Sequence, residues 1–209
     1  MEKYACLSYC WGGKPAIQTT RSTIDQYKKG IDLNRIPRTL QDAISICRKV
    51  GICYLWVDSL CIVQDDVRDW AGECEKMGRI YSNSFLTIAA TTSSNPNSGL
   101  FSRSSGRPRK VVMSMPGGGG CEVFVRPDIQ HRVLGETYND PSRPLLNRGW
   151  VFQELLLSPR VLRFDPDELI WECRETTKCE CSDVSPSMKI RWLELFSSDS
   201  SDLSSAWGH

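Results

Sequence analysis

Apolar positions fall into short runs and helical stripes that alternate through the N-terminal part of the chain. Residues 4 to 9 read as a first strand, and the Gly12-Gly13-Lys14-Pro15 that follows reads as a turn opening a loop to about residue 37. From Thr39, apolar Leu40, Ala43, Ile44, Cys47 and Val50 recur at helical spacing, with Pro37 ahead, Thr39 as N-cap, Asp42 three further on and Gly51 at the end. Cys53 to Val57 is a continuous apolar run of strand length. Such a run predicts a strand buried on both faces, with Asp58 at its carboxyl end, where open α/β sheets place ligands. Asp65 or Asp66 caps a second helix, in which Trp70, Cys74, Met77 and Tyr81 share one stripe and Glu73, Glu75, Lys76 and Arg79 face water. Gly72 and Gly78 each weaken that helix by roughly 1 kcal/mol relative to Ala, so it leans on tertiary packing. Phe85 to Ala90 is a third strand. The order strand, helix, strand, helix, strand predicts an α/β fold with a parallel sheet covered on both faces.

The pattern changes after residue 91. Thr91 to Arg109 is rich in Ser, Asn, Gly and Arg and reads as a long loop; Arg103, Arg107, Arg109 and Lys110 either attract phosphate or form a solvated basic surface, the plainer reading. Val111 to Met115 and Cys121 to Val125, joined across Pro116 and four glycines, predict a β-hairpin inserted into the α/β order. Arg160 to Phe164 and Glu168 to Cys173 flank Asp165-Pro166-Asp167 as a second hairpin. The domain is expected over residues 1–181, followed by a Ser-rich tail over 182–209 of the composition that stays disordered.

Composition narrows the function. Of 209 residues, 40% are hydrophobic and 24% charged, which suits one core of ordinary size. The 26 basic and 25 acidic side chains leave a formal charge of +1, so no global field recruits nucleic acid or an anionic membrane. Apolar runs are too short to span a bilayer, and Met1-Glu2-Lys3 leads straight into a strand-like segment, so a cytoplasmic protein is the expectation. Six of the ten cysteines (Cys6, Cys10, Cys47, Cys53, Cys61, Cys74) sit in apolar patterns and are read as reduced thiols. Cys173, Cys179 and Cys181 cluster in a polar stretch and can offer thiolates to zinc, but without a paired Cys-x-x-Cys the expectation is no metal.

The densest chemistry lies at Arg148-Gly149-Trp150-Val151-Phe152-Gln153-Glu154. On a helix Trp150 and Glu154 are neighbours, so the indole can pack inward while the carboxylate faces a cleft. A buried Trp beside a solvated Glu is the bland alternative. Two other segments, Tyr4 to Gly12 and Leu55 to Asp65, also end apolar runs in small or polar residues, which suggests one site assembled from strand ends. Only His131 and His209 are available as imidazole bases, so a Cys-His or Ser-His nucleophile would depend on a loop or a terminus. Gly117 to Gly120 lacks the Lys-Ser/Thr and following helix of a phosphate loop.

These residues resemble the heterokaryon incompatibility (HET) domain of fungi. Tyr4 to Gly12 looks like its first motif, and Asp58-Ser-Leu-Cys-Ile-Val-Gln64 with Trp70, Met77, Ile80 and Tyr81 looks like its second, within residues 55–84. Arg148 to Glu154 with Leu157 and Ser158 looks like the third, over 148–158. Val63 departs from the pattern, standing where the family usually has Asp or Asn before the Gln. The resemblance implies a role in nonself recognition, in which incompatible partners trigger death of a fused cell. The domain is also distantly similar to Toll/interleukin-1 receptor (TIR) domains, which implies a flavodoxin-like parallel sheet flanked by helices. Some TIR domains cleave NAD+ at its nicotinamide bond with a Glu in Trp-x-x-x-Glu, and Glu154 is the matching position.

That reaction is physically reasonable for a site with one principal carboxylate. The leaving nicotinamide nitrogen is already cationic in NAD+, so it departs neutral and needs no general acid, unlike an ordinary glycoside. Glu154 would stabilise the positive charge growing at the anomeric carbon. Ser8 and Asp58 would orient ribose or water, and Trp11 would stack on a ring or pack as a core indole. Tyr9, Gly12, Gln64, Arg148 and Trp150 complete the expected substrate contacts. NAD+ enters as substrate, not as resident cofactor. Two readings stand: an NAD+-consuming toxin domain active when self-associated, or a non-enzymatic module that signals by forming homo-oligomers and recruiting partners. Either implies an upstream sensor. In the first, Glu154 lies in a pocket with Ser8 or Asp58 in reach; in the second, it pairs locally with Arg148 or Arg160 and lines no cavity.

Overall fold

The computed structural model describes residues 2–13, 15–101, 109–114, 119–125 and 140–180. Its N-terminal part runs β1 (Tyr4–Ser8), α1 (Ile24–Lys29), α2 (Arg38–Lys49), β2 (Tyr54–Trp56), α3 (Asp58–Cys61), α4 (Val67–Ser82) and β3 (Leu86–Ala89). A hairpin of β4 (Arg109–Ser114) and β5 (Gly120–Val125) forms its own two-stranded sheet. Helix α5 (Gly149–Leu157) then leads into β6 (Arg160–Phe164), β7 (Leu169–Cys173) and β8 (Thr177–Cys179).

The main sheet has the order β2-β1-β3-β6-β7-β8. It is parallel from β2 to β6 and antiparallel through β7 and β8. The expected α/β class is therefore present, with a mixed sheet, and its 2-1-3 start is the order of doubly wound folds. The expected hairpin of β6 and β7 belongs to the main sheet, because β6 pairs with β3 and extends it. Strand β2 lies at the sheet edge with Tyr54 57% exposed, which corrects the expectation of burial on both faces. An apolar run alone does not distinguish an edge from a centre.

Alternation along β1 assigns the two faces. Ala5, Leu7 and Tyr9 join Leu40, Ala43, Ile46 and Cys47 of α2, and Leu86, Ile88 and Ala90, in the main core. On the opposite face the Tyr4 hydroxyl donates to the Ile80 carbonyl on α4 at 2.6 Å, and Ser8 reaches α5. Beneath α5, Ala89 packs with Leu145, Leu146, Val151, Leu155 and Val161 in a second, smaller core. Full burial of a side chain such as Leu155 contributes about 1.5–3 kcal/mol.

Capping separates the two long helices. Asp66 caps α4 as expected, its carboxylate accepting from the Arg68 and Asp69 amides at 3.0 and 3.3 Å. In α2, by contrast, Thr39 and Asp42 do not form the expected capping box. Thr39 lies within the first turn, and its hydroxyl accepts from the Gly99 amide at 3.1 Å while Asp42 accepts from Leu100 at 3.0 Å, so both tie the distant 99–100 segment to the helix. Gly51, at φ 72°, ends α2 as predicted. Trp70 is half-exposed rather than part of an inward stripe, whereas Tyr81 is buried. Helices α1 and α3 and strand β8 are short elements without a periodic apolar signal, and the sequence does not announce them.

The hairpin of β4 and β5 exposes Val112, Met113 and Phe124, and Lys110 within it pairs with Glu122 at 2.6 Å. Arg103, Arg107, His131, His209, Cys181 and the 182–209 tail lie outside the described residues. The six cysteines in apolar patterns are free thiols, although Cys53 and Cys61 are exposed. Among the described residues no group of three or more His, Cys, Asp or Glu is placed to hold a metal ion, and no helix is long and apolar enough to cross a membrane.

Candidate functional site

Ser8 ends β1 and Glu154 stands in the middle of α5, and the Ser8 hydroxyl donates to Glu154 Oε2 at 2.5 Å across the sheet face. Ser8 of β1 and Thr87 of β3 hold α5 against that face. The Ser158 hydroxyl donates to the Glu154 carbonyl at 2.6 Å and lies 2.6 Å from the Thr87 hydroxyl of β3. Gly78 of α4 lets the second helix approach, since a Cβ there would come within 3.3 Å of the Gln153 amide and 3.4 Å of Leu157. This supplies the tertiary support that a glycine-bearing α4 requires.

Asp58, immediately beyond β2, anchors the neighbouring strand end. The Trp11 indole N–H lies 3.1 Å from each carboxylate oxygen of Asp58, and the Ser59 amide donates at 2.7 Å. Trp11 is thereby oriented by Asp58 while its ring packs against the main core. The Tyr9 hydroxyl meets Ser59 at 2.8 Å, and the Arg148 guanidinium donates to the Tyr9 carbonyl. Gln64 spends its amide on the Asp58 and Ile62 carbonyls at 3.0 and 3.1 Å, so it holds the turn around α3. Beside it the Val63 amide donates to Asp69 at 2.8 Å, a bond that needs no polar side chain at position 63. Gly12 is held at φ 67°, and a Cβ there would lie 2.7 Å from that of Asn95. Only glycine fits this position without a shift of the 95–96 segment.

Burial dominates the electrostatics. Glu154 is 6% exposed. Burial pushes its carboxyl from 4.5 up to about 7; the Ser8 hydroxyl opposes the rise, the Asp58 charge adds to it, and Arg148 and the Tyr81 hydroxyl oppose it. Asp58 is half-buried by area, with protein around most of its carboxylate, and burial raises it to about 6 against the pull of Trp11, Ser59 and Arg148. Burial likewise raises the Tyr9 phenol and the Cys10 thiol, the latter beside Arg148. Near neutrality Glu154 is thus poised between acid and carboxylate. In its ionised form it is a poorly solvated anion that interacts strongly with any positive charge brought to it.

The structure brings Ser8 into direct contact with Glu154, and links Asp58, Tyr9, Trp11 and Arg148 around it. Trp150 does not join them: it is 53% exposed, while Glu154 is buried. The expected inward indole and cleft-facing carboxylate are inverted, because α5 presents Val151, Glu154 and Leu155 to the sheet. Neither expected ion-pair partner takes Glu154, since Arg148 serves the Tyr9 carbonyl and Arg160 the Phe85 carbonyl and ring. A cavity of about 260 Å³ lies elsewhere, lined by Ile17, Tyr27, Ile31, Asp32 and Arg35.

One feature was not legible beforehand. Arg143 bonds Asp140 at 2.5 Å and Asp165 at 3.0 Å, while buried Arg163 lies 3.5 Å from Glu172. The sequence places Arg163 and Glu172 in the strands of the second hairpin but carries no signal for these pairings.

No curated protein and no solved structure matches the chain. The family model described as Heterokaryon incompatibility protein (HET) matches residues 4–154, a span that opens on the strand bearing Ser8 and closes on Glu154. The three sequence segments that build this site are thus contained in a match covering most of the chain, and the protein belongs to the heterokaryon incompatibility family.

Proposed function

We propose that this domain acts in fungal nonself recognition and programmed cell death, in the cytoplasm, by TIR-like hydrolysis of NAD+ at the nicotinamide-ribose bond. The observation that carries the reading is the buried carboxylate of Glu154, bonded to Ser8 and raised to about 7. Burying a carboxylate is costly, which favours a functional reason for its place. In the reaction the C–N bond breaks with its electron pair going to nicotinamide, which leaves neutral. Positive charge develops on the ribose ring oxygen and anomeric carbon, next to the Glu154 anion. Water then adds to that carbon, giving ADP-ribose and one proton. Ser8 holds the carboxylate, Asp58 fixes Trp11, and Arg148 braces the strand end that carries Tyr9.

Glu154 is buried, and this fits an enzyme that is quiet as a single copy and opens on self-association under an upstream sensor. The same enclosure also favours a second reading, a non-enzymatic module that assembles and recruits partners. Nicotinamide release from NAD+ by purified protein, run dilute and again with forced self-association, separates them. Release on self-association that is lost in Glu154→Gln, with the fold retained, supports hydrolysis; no release in either state rejects it.

A further inference from the structure

We infer that Thr87 and Ser158 are a positioning pair for Glu154, a relay of two hydroxyls that seats its main chain over β3 so that its carboxylate falls on Ser8. The role rests on the reading of Glu154 as the reactive carboxylate. Hydrophobic burial alone does not choose this seat. Of the nine residues of α5 only Gln153 and Glu154 carry hydrophilic side chains, yet Trp150 is 53% and Leu156 43% exposed while Glu154 is buried. Burying either apolar side chain would stabilise the protein, whereas burying a carboxylate is costly. Polar contacts therefore hold the helix where it lies. They run from Arg148 to the Tyr9 carbonyl at its start, from Glu154 to Ser8 in its middle, and from Ser158 to Thr87 at its end.

The direction of the relay follows from counting hydrogens, since a hydroxyl has one to donate. Ser158 gives its own to the Glu154 carbonyl at 2.6 Å, so in its 2.6 Å contact with Thr87 the hydrogen comes from Thr87. Ser84, 3.4 Å from the Thr87 hydroxyl, spends its hydrogen on the Tyr81 carbonyl at 2.8 Å. Pro159 brings no amide to the end of α5, where the last carbonyls already lack helical partners, and Ser158 supplies a donor to the one that belongs to Glu154. Thr87 is fully buried on β3, between β1 and β6, in register with Cys6 and Val161. The next residue on its face is Ala89, the register partner of Ser8. Ser8 and Thr87 thus stand on adjacent strands, about 7 Å apart along the sheet and about 5 Å across it, a spacing that the sheet itself fixes. Ser8 holds the side chain of Glu154, and Thr87, through Ser158, holds its backbone. Neither Thr87 nor Ser158 is among the titratable groups that face Glu154, which are Asp58, Arg148, Tyr81, Cys6 and Cys10. They act on it only through where the helix is seated.

The test is a double-mutant cycle read on the titration of Glu154, followed by carboxyl infrared bands assigned with Glu154→Gln. In the unaltered protein Ser8→Ala should raise the midpoint by about one pH unit, the size of one lost hydrogen bond to a charged group. In a Ser158→Ala or Thr87→Val background the carboxylate is no longer delivered to Ser8, so the same change should move the midpoint by less than about half as much. Ser158→Thr, which keeps the hydroxyl, should restore the full shift. Thr39→Val, which removes a buried hydroxyl from α2, should leave it intact. Nicotinamide release should fall several-fold in Ser158→Ala, with the loss in kcat rather than KM. A Ser8→Ala shift that is absent from the unaltered protein, equal in all backgrounds, or lost in Thr39→Val as well overturns the inference. If the unaltered protein releases no nicotinamide, the hydrolase reading fails while the infrared cycle still decides the role of the pair. Should Ser158→Ala not fold, Thr87→Val, which keeps the shape of the side chain, is read in the same way.

Discussion

Replacing Glu154 by Gln should make the protein more stable at pH 8 and leave it almost unchanged at pH 4. In the fold this carboxyl titrates at about 7, against 4.5 for an ordinary glutamate. A group raised in this way favours the folded state most below 4.5, where it is protonated in both states. That advantage is lost between pH 4.5 and 7, because the unfolded chain ionises freely while the folded chain resists. Each unit corresponds to about 1.4 kcal/mol, so the burden above pH 7 reaches about 3 kcal/mol as an upper bound. Gln is nearly isosteric and still accepts the Ser8 hydroxyl, so the substitution removes the charge and little else. Thermal unfolding at a series of pH values reads the effect, at roughly 2–4 °C per kcal/mol for a chain of this size. A Glu154→Gln variant that is less stable than the parent at pH 8 would refute the reasoning. It would show that the carboxylate is held by favourable charge partners and serves the structure.

The remaining expectations concern activity and packing. Nicotinamide release should fall as pH drops through about 7, because the stabilising species is the Glu154 anion, and a pH-rate profile flat from 5 to 8 would contradict this. Ser8→Ala removes the closest donor to Glu154, so its carboxyl should titrate higher still and release at neutral pH should drop several-fold, read by the same profile. Gly12→Ala adds a Cβ at 2.7 Å from that of Asn95 at a left-handed φ and should cost about 1–3 kcal/mol in denaturant unfolding. Trp150 is half-exposed, so Trp150→Ala should change stability by less than about 1 kcal/mol, and any larger loss of function would place the indole in a contact made only with substrate or partner.

The α/β class, β1, α2, α4, β3 and both hairpins were legible because each carries a period or a turn signal that acts locally. Pairing partners were not. The placement of β2 at an edge and of β6 beside β3 depends on which strands compete for the centre of the sheet, and the apolar run of residues 53–57 is compatible with either place. Thr39 and Asp42 have the spacing of a capping box, but two backbone amides from residues 99 and 100 compete successfully for their oxygens. At the site, Ser8, Asp58 and Glu154 could be named because strand ends and a short motif marked them. The inversion of Trp150 and Glu154 could not, since helical spacing fixes which residues share a neighbourhood but not which way the helix is turned toward the sheet. Tyr81 was legible as a buried aromatic of the α4 stripe, and the structure buries it.

The central claim is that Glu154 does chemistry and is not merely packed. Expression of the domain in a fungal host, with cellular NAD+ and viability followed together for the parent and Glu154→Gln at matched protein levels, tests it most directly. The account predicts that NAD+ falls before cells die with the parent, and that both NAD+ and viability are preserved with the variant. Death that proceeds in the variant at full NAD+ would contradict it and leave assembly as the working mechanism.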